Sequence, residues 1–207
     1  LHGSQGCSTY MRRYLISHFK EPVDIASSNF TEETAIFGGG ANLKLAIQNI
    51  EKQYAPAMIG IATTCLSETI GDDVPMIIDG LKKERGSTAL IHVSTPSYTG
   101  THIDGFHETI KAVVDYCNPG NKKPGYKPKK KQTINLFPGM LSNEDLRHFK
   151  EIFHDFGVHA VILPDYSERL DGPSWVEYQA IQNGGTPLEM IRKMNCSLGS
   201  IELGSIL

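Results

Sequence analysis

Short apolar segments alternate with segments of helical spacing, and this alternation constrains the fold more than any other feature of the sequence. The apolar runs predict four buried strands, at 58–62, 89–93, 133–137 and 158–163. The segments with helical spacing predict helices that include 42–54, 101–116 and 143–156. Strands that alternate with helices favour parallel sheets with right-handed crossovers. The predicted fold class is therefore α/β, with Rossmann-like parallel sheets flanked by helices.

A change of composition divides this pattern into two parts. Residues 118–131 contain six lysines, three prolines and two glycines, which is typical of a solvated linker. We predict an N-terminal helical segment at 1–20, a first α/β unit at 21–117 and a second, incomplete α/β unit at 132–207. The chain opens inside a motif, so we expect it to be a piece of a longer subunit.

The composition argues against several classes of protein. A formal charge of −3 over 207 residues is unlike that of a dedicated nucleic-acid binder. No apolar run reaches the ~20 residues of a membrane span, and the sequence has no signal peptide. Four cysteines without close spacing indicate a reducing compartment. The sequence thus predicts a cytoplasmic protein that binds neither nucleic acid nor a membrane.

Two cysteines stand at positions suited to a ligand. Cys7 follows Gly6 and leads into an amphipathic run at 8–19, where helix N-terminal amides would stabilise a thiolate. Cys65 follows the strand at 58–62, at the sheet edge where open α/β folds bind ligands. No CxxC spacing occurs, and a lone cysteine is commonly a small buried apolar residue. A metal-free α/β interaction module therefore stays open as an alternative.

Other candidate site residues follow the same reasoning. Gly38 and Gly39 interrupt a helix, which indicates either close approach of the backbone to a ligand or a tight packing point. Ser97 follows the strand at 89–93 and would face the same sheet edge. Asp72 and Asp73 are predicted to lie in the first turn of a helix beginning near Ile70, where acids complement the helix dipole. No phosphate-binding loop motif occurs.

Five motifs together resemble the nitrogenase component 1 family in their order and spacing. They are His2-Gly3-Ser4-Gln5-Gly6-Cys7, His18-Phe19-Lys20-Glu21-Pro22-Val23, Phe37-Gly38-Gly39, Thr63-Thr64-Cys65 and Gly71-Asp72-Asp73. The resemblance implies that Cys7 and Cys65 are cluster ligands and that a third ligand lies upstream of the first motif. It also favours an approach of Gly38 and Gly39 to the cluster, and we predict Gly6 and Ser97 as further cofactor-binding residues.

The resemblance carries expectations about cofactor and partners. It implies an iron–sulfur cluster, either a P-cluster or a 4Fe–4S type, in the full complex, and we expect none in the isolated chain. The expected partners are a homologous α/E-type subunit in a heterotetramer and an ATP-dependent iron protein as electron donor. The family is one of oxidoreductases in nitrogen fixation, but the chain alone is expected to be inactive.

Two interpretations within the family compete. Runs such as 163–165, 170–173 and 184–187 are similar to the N subunit of the scaffold for iron–molybdenum cofactor biosynthesis, and we favour that interpretation from sequence. The retained Cys65 suits the catalytic β subunit of the molybdenum–iron protein, which relays electrons through the P-cluster.

Overall fold

The computed structural model describes residues 1–19, 21, 23–84, 88–120, 133–172 and 177–204. Its helices are α1 (Gln5–His18), α2 (Glu32–Phe37), α3 (Gly40–Tyr54), α4 (Cys65–Ile70), α5 (Val74–Glu84), α6 (His102–Cys117), α7 (Asn143–Asp155) and α8 (Leu188–Ile191). Its strands are β1 (Met58–Ala62), β2 (Ala89–Val93), β3 (Thr133–Phe137), β4 (His159–Ile162) and β5 (Ser200–Glu202).

The chain forms two compact units. The first consists mainly of Leu1–Ala112, and the second contains most of the chain from Val113 onward. The linker predicted at 118–131 falls largely outside the described residues, so the predicted domain division stays a prediction. No described helix combines the length and the apolar character that a membrane span requires.

In the first unit, β1 and β2 pair in parallel, from Met58 opposite Ala89 to Ala62 opposite Val93. Apolar side chains of α3 and α5 pack against these strands. The buried cluster comprises Leu43, Ile47, Ile59, Ile61, Val74, Ile78, Leu81 and Leu90. Because both strands run in the same direction, their carboxyl ends lie at the same edge of the sheet.

In the second unit, three parallel strands lie in the order β4, β3, β5. Leu136, Leu146 and Ile162 form its buried cluster. The buried Asn135 donates from Nδ2 to the Met194 carbonyl at 3.0 Å and accepts from the Ser197 hydroxyl at 2.7 Å. These bonds fasten β3 to the segment that leads into β5. The predicted α/β fold with parallel sheets is confirmed in both units.

One predicted helix is wrong in its boundaries. Instead of a single helix beginning near Ile70, α4 begins at Cys65 and a separate α5 begins at Val74. The Thr64 amide donates to the Ser67 hydroxyl at 3.0 Å, which starts α4 early. Gly71 ends it with φ of +79°, a conformation that glycine adopts without strain.

The apolar residues of α1 do not pack into the core of their unit. Tyr10 is 66% exposed and Tyr14 is 71% exposed, and Met11 and Ile16 are also exposed. The helical spacing predicted at 8–19 is therefore confirmed, but the apolar side chains face outward. An exposed apolar helix of this kind is typical of a surface that another chain covers.

Candidate functional site

The predicted residues Cys65 and Ser97 meet at the edge where β1 and β2 end. Cys65 is the first residue of α4, and Ser97 lies four residues after the end of β2. The Cys65 Sγ lies 2.8 Å from the Ser97 Oγ and accepts the Ser97 amide N–H at an N···S distance of 3.1 Å. The amide and the hydroxyl of Ser97 therefore both lie within hydrogen-bond distance of one sulfur, and the hydroxyl can donate to it when Cys65 is a thiolate.

This geometry favours a thiolate at Cys65. The hydrogen bond from the Ser97 hydroxyl, followed by the one from the Ser97 amide, holds the pKa of the Cys65 thiol below its ordinary value. A hydrogen bond to the charged form stabilises that form. Thiolate is also the form that binds metals and acts as a nucleophile.

Cys7 lies in a more open environment. It is the third residue of α1 and is exposed, and the Ser4 hydroxyl lies 3.7 Å from its Sγ. A Cβ at the preceding residue, Gly6, would meet only the Ser4 hydroxyl, at 3.7 Å. Packing within this chain therefore does not require glycine at that position.

Main-chain hydrogen bonds join the segment that carries Cys7 to the segment that carries Cys65. The His2 amide donates to the Ala62 carbonyl at 2.8 Å, and the Thr64 amide donates to the His2 carbonyl at 3.1 Å. His2 thereby forms a parallel bridge with Thr63, beside the end of β1. Cys7 follows His2 by five residues and Cys65 follows Thr63 by two. Each cysteine therefore lies a few residues after one member of the bridged pair His2–Thr63.

The His2 side chain was not identified as important from the sequence. It is completely buried, with Nδ1 3.0 Å from the Ser28 hydroxyl and Nε2 3.0 Å from the Asp72 carboxylate. Burial lowers the pKa of His2 more than Asp72 raises it. The partners of His2 lie 26 and 70 residues away, so local sequence patterns do not reveal them. The sequence signal for a role of His2 was its position at the start of the first motif.

The prediction for Asp72 is wrong, since this residue lies between α4 and α5 and not in the first turn of a helix. Its carboxylate binds the His2 ring and accepts the Gly39 amide at 2.9 Å. Asp73, in contrast, does lie at a helix start, where its carboxylate accepts the Met76 amide at 2.9 Å. Two adjacent acids of one motif therefore serve different purposes.

Gly38 and Gly39 lie in the turn between α2 and α3. Gly38 has φ of +90°, and its amide donates to the Thr34 carbonyl. A Cβ on Gly39 would lie 2.3 Å from the Phe30 ring, so glycine is required there by packing. Both amides bind oxygens within the chain, and the role of these glycines toward a cluster stays a prediction.

A carboxylate that the sequence analysis missed lies in the helix that Cys65 begins. The Glu68 carboxylate accepts the Ser94 hydroxyl at 2.6 Å and also the Thr63 hydroxyl. Partial burial raises the pKa of Glu68, but the hydrogen bonds from these hydroxyls outweigh burial and hold the pKa below its ordinary value. The Glu68 carboxylate thus links the polar side chains that follow β1 and β2 by hydrogen bonds.

The donor set on this chain is partial. Among the residues that the structure describes, no three His, Cys, Asp or Glu side chains lie together in a metal-binding arrangement. Cys65 supplies a thiol whose thiolate form is stabilised by hydrogen bonds, Ser97 supplies a hydroxyl, and Cys7 supplies a second, exposed thiol. Such a set fits a soft metal centre that another chain completes, because thiolates are the usual ligands of iron–sulfur clusters.

The hydrogen bonds to Cys65 lead to a prediction for the metal-free protein. We expect Ser97→Ala to raise the pKa of the Cys65 thiol, because the variant lacks the hydroxyl that stabilises the thiolate. Alkylation of Cys65 by iodoacetamide, followed by peptide mass spectrometry, should then reach its half-maximal rate at higher pH. Thr101→Ala is the control, since the Thr101 hydroxyl contacts Asp104 instead. Coincident pH profiles for Ser97→Ala and the parent protein would contradict the observed contact.

Comparison with known proteins gives the family. The family described as Nitrogenase component 1 type Oxidoreductase matches residues 1–207. The chain is 40% identical over 208 residues to the nitrogenase molybdenum-iron protein beta chain of Clostridium pasteurianum. This match covers 99% of this chain and 44% of that relative. It is 38% identical over 197 residues to the corresponding beta chain of Klebsiella pneumoniae, covering 92% of this chain and 37% of that relative.

A solved structure agrees with these relatives. The chain matches a structure titled "Nitrogenase Cp1 at pH 6.5" with a TM-score of 0.85 and 35% identity, over 98% of this chain and 48% of that one. The chain therefore spans less than half the length of these relatives.

Proposed function

This chain belongs to the nitrogenase component 1 type oxidoreductases and is of the β type, and from that premise we propose that it supplies part of the protein shell of an iron–sulfur cluster at a subunit interface. The observation that carries the proposal is the pair of Ser97 hydrogen bonds to the Cys65 sulfur, at the edge where β1 and β2 end. A sulfur prepared in this way suits a soft metal centre.

In this proposal Cys7 and Cys65 are the thiolate ligands. Ser97 stabilises the Cys65 thiolate and presents its own hydroxyl oxygen on the same side as the sulfur. Gly6, Gly38 and Gly39 are the proposed points of close backbone approach to the cluster. When bound, an iron–sulfur cluster supplies one-electron redox chemistry, whose potential depends on hydrogen bonds to sulfur and on solvent exposure.

The proposed partner is a homologous α-type subunit, with which the chain would form a heterotetramer. The exposed apolar side chains of α1, which also carries Cys7, support this assignment. Two thiolates do not complete the coordination of a cluster, so the partner and the rest of the full-length subunit must contribute the other ligands. An ATP-dependent iron protein is the proposed electron donor, since the chain has no phosphate-binding loop of its own.

Two assignments within the family stand as candidates. The names of the relatives support the catalytic β subunit, in which the cluster relays electrons to an active-site cofactor on the partner. The runs in the second half of the chain favour the alternative, the scaffold for iron–molybdenum cofactor biosynthesis. A subunit of the catalytic kind should support substrate reduction with the iron protein, whereas a scaffold should release its cofactor precursor to an acceptor protein.

The test is to purify the full-length subunit with its partner under anaerobic conditions. We expect stoichiometric iron and sulfide with a brown charge-transfer absorption, and we expect a Cys7→Ala/Cys65→Ala double variant to lose them. The isolated chain, reconstituted with iron and sulfide, should retain no stoichiometric cluster. An assembled but colourless complex would contradict the proposal and would support a metal-free interaction module.

A further inference from the structure

His2 lies on the segment that carries Cys7, and its main chain is hydrogen-bonded to Ala62 and Thr64, which lead to Cys65. Its buried side chain is hydrogen-bonded to Ser28 and Asp72. We propose that His2 is a positioning residue, which fixes the segment of Cys7 relative to the segment of Cys65. This inference rests on the proposed function, in which the two thiols bind one cluster. It adds a residue to the site that is not itself a ligand.

The hydrogen bonds of His2 determine which ring nitrogen carries the proton. Nε2 lies 3.0 Å from the Asp72 carboxylate, which can only accept, so Nε2 carries the ring proton and donates it. In the neutral ring Nδ1 then accepts the Ser28 hydroxyl at 3.0 Å, and the oxygen of that hydroxyl accepts the Gly3 amide at 2.9 Å. Both nitrogens are engaged within the chain and the ring is completely buried, so His2 cannot serve as a metal ligand.

The His2 ring also packs against an aromatic ring, and its acceptor Asp72 is itself hydrogen-bonded. Its plane stands at 90° to the Phe30 ring, with the ring centroids 4.8 Å apart. Asp72, which receives the Nε2 proton, also accepts the Gly39 amide at 2.9 Å. The side chain of His2 therefore joins its own segment to the segment of Ser28 and Phe30, to the connection that follows α4 and, through Asp72, to the glycine turn before α3.

The main chain of His2 is hydrogen-bonded to residues at the end of β1. The His2 carbonyl accepts both the amide and the hydroxyl of Thr64, each at 3.1 Å, and Thr64 directly precedes Cys65. A shift of His2 would therefore be passed to Cys65 through one residue and to Cys7 along the first turn of α1. Side chains that orient metal ligands are typically worth about 10–100-fold in metal affinity.

Three substitutions separate the two ring contacts. In His2→Gln the side-chain NH₂ can take the place of Nε2 and donate to Asp72. In His2→Asn the amide oxygen can take the place of Nδ1 and accept from Ser28. His2→Ala removes both contacts. His18→Ala is the matched control, because His18 is an exposed histidine at the end of α1.

The first measurement uses the full-length subunit without metal. A short reagent with two thiol-reactive groups should link Cys7 to Cys65, and mass spectrometry of the linked peptide gives the yield. We expect about a tenfold lower yield in His2→Ala, a yield closer to that of the parent in His2→Gln, and no change in His18→Ala. This measurement does not depend on a bound cluster.

The second measurement uses the assembled complex with its cluster. We expect His2→Ala to lower iron affinity about 10–100-fold and to shift the reduction potential of the remaining cluster, with recovery in His2→Gln. If His2→Ala does not fold, the same two measurements are made on Ser28→Ala, which keeps the His2 ring and removes the hydroxyl that bonds to Nδ1 and to the Gly3 amide.

The outcomes distinguish this inference from the proposed function. Unchanged linking and potential in all folded His2 and Ser28 variants would overturn the positioning role, while iron loss in Cys65→Ala would leave the proposed function standing. Full iron in Cys65→Ala would overturn the proposed function, and the linking yield would still report whether His2 fixes the two segments.

Discussion

Replacement of Cys65 by alanine in the full-length complex is expected to remove most of the bound iron while the subunit stays folded. The Cys65 side chain is partly exposed and packs into neither hydrophobic cluster, so its removal leaves the core intact. Alanine offers no ligand atom, and thiolate is the usual ligand of an iron–sulfur cluster. Iron per complex, visible absorption and the thermal unfolding midpoint should be measured on the same preparations.

Cys196→Ala provides the matched control for this experiment. Cys196 is also a partly exposed free cysteine, but it lies in the second unit, where its sulfur donates to the Asn195 side-chain oxygen at 3.1 Å. We expect this variant to keep its iron and its electron transfer. Unchanged iron and electron transfer in Cys65→Ala would show that Cys65 is not a ligand.

Gly3→Ala is expected to have the largest effect on the stability of the first unit. A Cβ at this position would lie 2.1 Å from the Thr64 hydroxyl oxygen and 2.8 Å from the Thr64 Cβ, far inside contact distance. Either the His2–Thr63 bridge must open or the end of β1 must move. We expect the free energy of unfolding to fall by about 3 kcal/mol, the upper part of the usual range for overpacking.

Denaturant titration of the full-length subunit measures this loss. Gly60→Ala is the control, because a Cβ on this β1 glycine meets nothing within 4 Å. The double variant Gly3→Ala/Thr64→Ala lacks the nearest side-chain atoms and should recover part of the loss. Equal stability of Gly3→Ala and Gly60→Ala would show that the segment before α1 does not pack against Thr64 in solution.

The strands were the most predictable part of the fold. β1, β2 and β3 begin and end where the sequence places them, because apolar runs covered on both faces have sharp boundaries. Parallel pairing followed from the intervening helices, and this placed Cys65 and Ser97 at the same sheet edge. What the sequence could not give was the direct contact between the two side chains, which depends on how each loop turns after its strand.

The His2 network illustrates the limit of local patterns. The sequence predicts that Asp72 lies in the first turn of a helix. In the structure its carboxylate binds the His2 ring, 70 positions earlier in the chain. Periodicity describes neighbours within one element and carries no information about such distant partners. The same limit applies to α4, whose start depends on a hydrogen bond between Thr64 and Ser67 rather than on an apolar stripe.

In the proposed heterotetramer, the exposed side chains of α1 affect the relative amounts of the two kinds of subunit in the cell. A copy without a partner presents Tyr10, Tyr14 and Ile16 to solvent, and such surfaces attract chaperones, proteases and other unpaired copies. Excess β-type chains would then be removed as orphans, so the scarcer subunit would set the amount of complex that accumulates. The lifetime of a β-type chain in the cell would then depend on its binding to the proposed partner, before any metal is inserted.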